Sequence, residues 1–299
     1  MQKALFAEIE LRIGRSILSW EKLHSKGEKY HVKLIDKDGN AYSYKEIQMT
    51  PDRSRIFRQI LSMEIPVFQK VHSLLERGEN KYGILTEWVD GKTLEPSLWR
   101  SEEDALLSCI REAALALRKL HQSCKTEIKR LITMEAVERI IGRSSLTEEE
   151  KDTILCYIRK HLPLLSQRCL TVVHGDLHLK NIMRSGDQTI FIDLDDVKYG
   201  DAYMDLVYAG NLHYTRTENY HYYMFLHYYF DGKLPEDFWP TVNIYSISKA
   251  LEIINYEKDQ CAGDSVRLNM SSFLGNHDHM QTDPAKWYIE TEKLLNTTR

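Results

Sequence analysis

What most restricts this chain is a change of hydrophobic period near residue 100. Leu5, Phe6, Ile9 and Ile13 recur at helical spacing and predict a short leading helix over 2–13. In KYHVKLIDKDGNAYSYKEI the period is two: Tyr30, Val32 and Leu34 alternate with polar residues, as do Tyr42 and Tyr44, and Asp38-Gly39 lies between the runs. Glycine accepts positive φ in a tight turn, so the segment predicts an antiparallel hairpin. A helix over about Arg53–Met63 follows, with Ile56, Ile60 and Leu61 on one side, then two further strands, VFQKVHSL and KYGILTEWV, around a turn at Gly78. From Glu102 the spacing becomes helical, with Leu106, Ile110, Ala113, Leu117 and Leu120 on one face, and Leu146–His161 repeats it behind a Thr147–Glu150 capping box. TVVHGDLHLKNIM and TIFIDLD interrupt the helices as two short strands around Ser185-Gly186-Asp187, and the chain after Asp201 reads helical. The order predicts an α+β protein: residues 1–90 a sheet with one helix, residues 91–299 mostly helical, the two touching along a cleft near Asp90–Pro96.

With 42% hydrophobic and 28% charged residues, the chain has the means to bury a core, which excludes disorder and collagen-like repetition. The formal charge of −4 gives no reason to expect a nucleic-acid partner. No apolar run approaches the ~20 residues that span a bilayer, and charges interrupt the apolar positions at the start, so no membrane is expected and the location reads as cytoplasmic. Cys109, Cys124, Cys156, Cys169 and Cys261 show no C-x-x-C spacing and read as buried free thiols. Charge is uneven: residues 1–170 carry 29 basic and 25 acidic side chains, residues 171–299 carry 11 and 19. The second part is therefore the one suited to a cation, although a solvated acidic face is the commoner cause.

The chemistry concentrates in His174-Gly175-Asp176-Leu177-His178-Leu179-Lys180-Asn181. A carboxylate and an amide lie five residues apart in a loop after a strand, and Asp193 closes the next strand. Strand, loop and strand bring the three together, as phosphoryl transfer requires: one carboxylate takes a hydroxyl proton, and an amide oxygen with a second carboxylate holds Mg²⁺ on nucleotide phosphates.

HGDLHLKN followed by FIDLDDVKYGDAYMDL resembles the paired signatures of the aminoglycoside phosphotransferase and choline kinase family. Leu120-His121, Gly200-Asp201, Asp205-Leu206 and the hinge-like Thr86-Glu87-Trp88-Val89-Asp90-Gly91 extend the resemblance over about 28–210. It implies a bilobal protein-kinase-like fold, with a small β-rich N-lobe and a larger, mostly helical C-lobe. It implies a Mg²⁺-dependent enzyme moving the γ-phosphate of ATP or GTP to a hydroxyl of a small molecule. As acceptor it implies an aminoglycoside or aminocyclitol antibiotic, a resistance activity, with choline, a sugar or a related metabolite as the alternative. Carried over residue by residue, Asp176 is the catalytic base, Asn181 and Asp193 are the metal ligands, Lys45 grips the α- and β-phosphates, and the backbone of Glu87 and Val89 meets the adenine. His174 braces the loop, and His178, Lys180, Asp195 and Asp196 are candidates for substrate contact or for support of the site, Lys180 toward the transferred phosphate and Asp195 and Asp196 toward a second Mg²⁺ or a cationic substrate.

The sequence departs from the family where a helix Glu usually pairs with the lysine. RIFRQILSME offers Arg58 there; Glu64 at the helix end and Asp193 are the acids left to serve Lys45. Leu179-Lys180 replaces Pro-Gly, Leu194 replaces Trp, and Ala202 replaces Pro. A protein kinase is the first rival, but the G-x-G-x-x-G loop and the long segment ending in A-P-E are absent. A nucleotide-binding pseudokinase is the second; Asp176, Asn181 and Asp193 together argue against it. Tyr220–Phe230 reads as aromatic core before it reads as a cation cage, His277-Asp278-His279 as solvated before metal-binding, and Lys26-Gly27 is no phosphate loop.

Overall fold

The computed structural model describes residues 2–23, 30–126, 134–144, 146–166, 168–209, 216–259 and 273–297. Two compact units emerge: Met1–Thr93 with Asn181–Lys198, and Leu94–Lys180 with Tyr199–Arg299.

In the first unit, α1 (Gln2–Ile13) precedes β1 (Ile17–Lys22), β2 (His31–Asp36), β3 (Ala41–Gln48), α2 (Pro51–Leu61), β4 (Val71–Gly78) and β5 (Lys81–Glu87). The strands form an antiparallel sheet in the order β1-β2-β3-β5-β4. The alternation seen in the sequence is the burial alternation: Val32, Leu34, Tyr42 and Tyr44 turn inward and join Leu5 and Ile9 of α1 with Leu75 and Leu85 in one core. His31, Ser43 and Lys45 therefore share the opposite face. Asp36 terminates β2 and accepts hydrogen bonds from the amides of Asp38 (2.9 Å) and Asn40 (2.8 Å) and from the Tyr42 hydroxyl (3.0 Å). Burial opposes its ionisation, but the Asn40, Tyr42 and Asp38 hydrogen bonds win and bring its pKa down to about 2. Gly39 supplies the turn's positive φ of 86°. Helix α2 begins earlier than the apolar spacing suggests, because Thr50 caps it through the Arg53 amide (3.3 Å) and Pro51 occupies its first turn.

Residues expected at the start of a fourth strand are used differently. The Phe191 amide donates to Val67 O (2.7 Å), the Gln69 amide donates to Phe191 O (2.9 Å), and Phe68 forms a parallel bridge with Phe191. The hairpin of β8 (Ile182–Ser185) and β9 (Gln188–Phe191), with β6 (Lys92–Thr93) beside β8, is thereby stitched to the sheet. This is why Asn181–Lys198 belongs to the first unit, whereas a division into 1–90 and 91–299 assigns it to the second.

The second unit holds α3 (Glu103–Ser123), α4 (Met134–Arg143), α5 (Glu148–Ser166), β7 (Thr171–Val173), α6 (Tyr203–Ala209), α7 (Arg216–Tyr229), α8 (Phe238–Asp259) and α9 (Lys286–Thr297). The capping box forms: the Glu150 amide donates to Thr147 Oγ1 (3.2 Å), and the Thr147 amide donates to Glu150 (2.8 Å). Leu106, Ile110, Ala113 and Leu117 are buried along α3. The aromatic run is core: Tyr222, Phe225 and Tyr229 are buried, and Phe230 meets Tyr203 and Phe238 edge-on at 5.7 and 5.1 Å. His277 corrects the expectation of a solvated cluster. It is 1% exposed, its Nδ1 lies 3.0 Å from Asp283 O, and burial pushes its pKa down to about 4, while Asp278 and His279 are exposed. The thiols are free, but of the four described only Cys109 is buried, because Cys124, Cys156 and Cys169 lie at the surface or near it. Cys261 and Lys26-Gly27 lie outside the described residues. Among the described residues no helix is long and apolar enough to cross a membrane.

Candidate active site

The polar face of β2 and β3 borders a cavity of about 420 Å³ within the first unit, lined by Lys45, Ile84, Val89, Asn181, Asp193 and Asp195 among others. Lys45 Nζ lies 2.7 Å from Asp193 Oδ1 and 2.6 Å from Asp195 Oδ2. Burial by itself favours the neutral amine, but the Asp195 and Asp193 carboxylates outweigh it and raise the Lys45 pKa. His31, opposite Lys45 across the strands, holds Ser43 Oγ at 2.9 Å. Burial and the neighbouring ammonium keep this imidazole below its ordinary pKa.

Asn181 and Asp193 flank the β8–β9 hairpin, Asn181 just before β8 and Asp193 just after β9, and the Ile192 amide donates to Asn181 O (3.0 Å). Asp193 leaves β9 in the left-handed region, φ 62° and ψ 58°, a conformation of the kind that concentrates at functional corners. It turns the chain into a short 3₁₀ turn carrying Asp195 and Asp196. Arg53 of α2 holds that turn: its guanidinium donates to the Asp195 carbonyl and pairs with Asp196 Oδ1 at 2.8 Å. The Glu87 amide donates to Lys70 O (2.9 Å) and the Glu87 carbonyl accepts from Gln69 Nε2 (2.7 Å), while Gln69 and Val89 line the cavity.

The loop of the second unit is built around a buried carboxylate. Asp205, fully buried, accepts hydrogen bonds from the amides of His174 and Gly175, both at 2.8 Å, and lies 3.1 Å from His121 Nε2. Burial opposes its charge, yet the His121 hydrogen bond and the Gly175 amide keep its pKa below the usual carboxylate range. His121 Nδ1 in turn meets the Tyr229 hydroxyl at 2.7 Å. Gly175 takes φ 84°, and the Asp176 amide donates to His174 Nδ1 (3.3 Å), so the histidine braces the residue two places on. Asp176 itself is 40% exposed, with His178 Nε2 at 3.9 Å. Lys180 points to Glu95 (3.3 Å) and is mostly exposed. Asp201 anchors the neighbouring segment through Arg168 and the Tyr245 hydroxyl.

A model of the phosphotransferase enzyme family (APH) matches residues 15–239. The chain belongs to this family. No curated protein matches the sequence significantly. A choline/ethanolamine kinase family protein of Mesorhizobium loti shares the fold at 15% identity and TM-score 0.66, over 97% of each chain. Spectinomycin phosphotransferase APH(9)-Ia, solved with ADP and spectinomycin, aligns at 12% identity and TM-score 0.61, over 97% of this chain and 98% of its own. Aminoglycoside phosphotransferase APH(4)-Ia with ADP and hygromycin B aligns at 12% identity and TM-score 0.61, over 91% and 98%. The fold is accordingly protein-kinase-like, and the APH chain is a small-molecule kinase.

Of the residues singled out by resemblance to the APH pattern, the structure gathers Lys45, Val89, Asn181, Asp193 and Asp195 on one cavity. Glu87 lies at the end of β5, Asp196 lies on Arg53, and His174, Asp176, His178 and Lys180 belong to the second unit. Two contributors escaped the sequence: Gln69, which occupies the Glu87 carbonyl, and Arg53, which holds the Asp195–Asp196 turn from 142 residues away. Neither sits in a motif, and only the three-dimensional pairing reveals them.

Proposed function

We propose that this APH-family chain is a cytoplasmic kinase that moves the γ-phosphate of ATP or GTP to a hydroxyl of an amine-bearing small molecule, with Mg²⁺. The observation that carries the reading is the convergence of Lys45, Asn181 and Asp193 on one cavity of the first unit. Asn181 and Asp193 fit a hard cation, since both offer oxygen donors at the open end of one hairpin, beside the same cavity. Mg²⁺ held there neutralises charge on the β- and γ-phosphates. Lys45 grips the α- and β-phosphates, the Val89 backbone and the second lone pair of the Glu87 carbonyl face the adenine, and the apolar wall of Ile84, Met183 and Ile192 excludes water from the base. Asp176 orients the acceptor hydroxyl and takes its proton, on a loop that Asp205 and His174 keep in place.

The acidic balance of residues 171–299 favours a cationic acceptor. The neighbours' ligands and names, spectinomycin, hygromycin B and choline or ethanolamine, are all hydroxylated amines, which supports the same class. The test is phosphate transfer from MgATP and MgGTP to aminoglycosides, aminocyclitols, choline, ethanolamine and sugars, with wild type beside Asp176→Asn. Transfer to one class that falls about 10³-fold in the variant, with nucleotide binding retained, is the expected outcome. Nucleotide binding without Asp176-dependent transfer to any acceptor refutes it and leaves a pseudokinase.

A further inference from the structure

The helix beside β3 brings no carboxylate to Lys45. The only acid within α2 is Asp52, exposed and paired with Arg55 at 3.3 Å. Lys45 is instead flanked by Asp193 and Asp195, two residues apart on the chain. The two are not equivalent. The Asp193 side chain is 42% exposed, at a left-handed corner, and the phosphotransferase reading already gives it a metal to hold. Asp195 is 18% exposed, and its turn is fastened from both sides: Arg53 donates to the Asp195 carbonyl and to Asp196, and the Val197 amide donates to Leu194 O (3.2 Å).

We propose that Asp195 is the positioning residue for Lys45, holding its ammonium toward the phosphates of a bound nucleotide, and that Arg53 fixes the turn which makes this possible. The inference rests on the reading of this cavity as a nucleotide site. A long flexible side chain grips a phosphate well only if something fixes it, and a carboxylate on a clamped turn does so without leaving the cavity wall. Asp195 thus takes over from α2 the task that its Arg53 and Arg58 cannot perform. Arg58 faces the other way, toward Leu74 O and Glu76.

Two readouts test it. In the first, wild type, Asp195→Asn, Arg53→Met and Glu64→Gln are acetylated with limiting acetic anhydride over a range of pH, and the Lys45 peptide is quantified by mass spectrometry. Losing the paired carboxylate releases the ammonium from the 2.6 Å contact that holds it in the cavity wall, so Lys45 in Asp195→Asn is freer to meet the reagent and is acetylated several-fold faster at one fixed pH. Arg53→Met lies between, and Glu64→Gln matches wild type. In the second, phosphate release and transfer from MgATP are measured. Asp195→Asn lowers kcat about tenfold without raising the KM for MgATP, since an unshielded lysine still attracts phosphate, and Asp195→Glu recovers part of the loss. In a Lys45→Ala background the Asp195 substitution adds nothing.

Unchanged acetylation in Asp195→Asn overturns the proposal. So does a kcat loss of equal size in the Lys45→Ala background, or a rise confined to the acceptor's KM, because either means that Asp195 meets substrate directly. If wild type neither transfers nor hydrolyses, the phosphotransferase reading falls and takes the functional half of the proposal with it, while the acetylation rates still decide whether Asp195 holds Lys45.

Discussion

Replacing Asp205 by Asn tests whether one buried carboxylate holds the loop that carries Asp176. Asp205 Oδ2 accepts the His174 amide at 2.8 Å and contacts His121 at 3.1 Å, and Oδ1 accepts the Gly175 amide at 2.8 Å. Asparagine fills the same volume but owns one oxygen. Whichever way it turns, its NH₂ group faces a backbone N–H, so one buried donor is left unsatisfied at about 1–3 kcal/mol, and the surviving bonds lose their charge assistance. The total is about 3 kcal/mol. The penalty is local, so the assay is amide hydrogen exchange at His174 and Gly175 together with the urea midpoint: both amides lose protection and the midpoint falls. The Asp176 amide is tied to the His174 ring at 3.3 Å, so the loosened loop carries Asp176 with it, and with Asp176 as the proposed base a displacement of about 1 Å lowers transfer about 10²-fold. A destabilisation below about 1 kcal/mol with unchanged exchange at both amides would refute the reasoning. That outcome would mean the loop is fixed by something other than Asp205.

Further outcomes follow from the same structure. His277 is buried neutral with its pKa pushed from 6.5 to about 4, so below pH 6.5 the unfolded chain binds the proton that the native chain refuses. Stability therefore falls as pH drops from about 6.5 toward 4, by about 3 kcal/mol at the lower end, and His277→Gln flattens that part of a urea-midpoint profile; an equally steep profile in the variant sinks the assignment. At Gly83 an added Cβ would run into the ring of Tyr44, which is fully buried and cannot swing away, so Gly83→Ala lowers the first unit's stability by about 1–3 kcal/mol in thermal or urea unfolding. Phe191→Ala removes a fully buried ring that meets Phe68 at 6.5 Å, and costs about 3–5 kcal/mol on the same measure.

What the sequence reveals and what it hides follow one physical division. The β2–β3 hairpin, the α3 stripe and the Thr147–Glu150 box are local: period, turn chemistry and caps operate within about ten residues, and the burial of Val32, Leu34 and Leu106 follows them. Local reading starts the strand too early, at Val67, because Val67–Gln69 pairs with Phe191, more than a hundred residues on, and β pairing of that range leaves no periodic mark. His277 fails in the same way, since its neighbours Asn243 and Asp283 make burial tolerable and a row of polar residues does not announce them. Within the site the division is sharper. Asp176, Asn181 and Asp193 are recognisable as a spaced motif, because the hairpin from Ile182 to Phe191 fixes how far apart the last two can lie. Lys45 is singled out by the family resemblance alone, since nothing in its own neighbourhood of the sequence names its partner. What the structure sets beside it is a pair of carboxylates beyond β9, held by an arginine from α2, three segments far apart in the sequence. On the reading proposed above, a missing helix glutamate does not mark a disabled site in this chain. The cation needs an anion of fixed position, and Asp195, clamped by Arg53, meets that requirement from a different part of the fold.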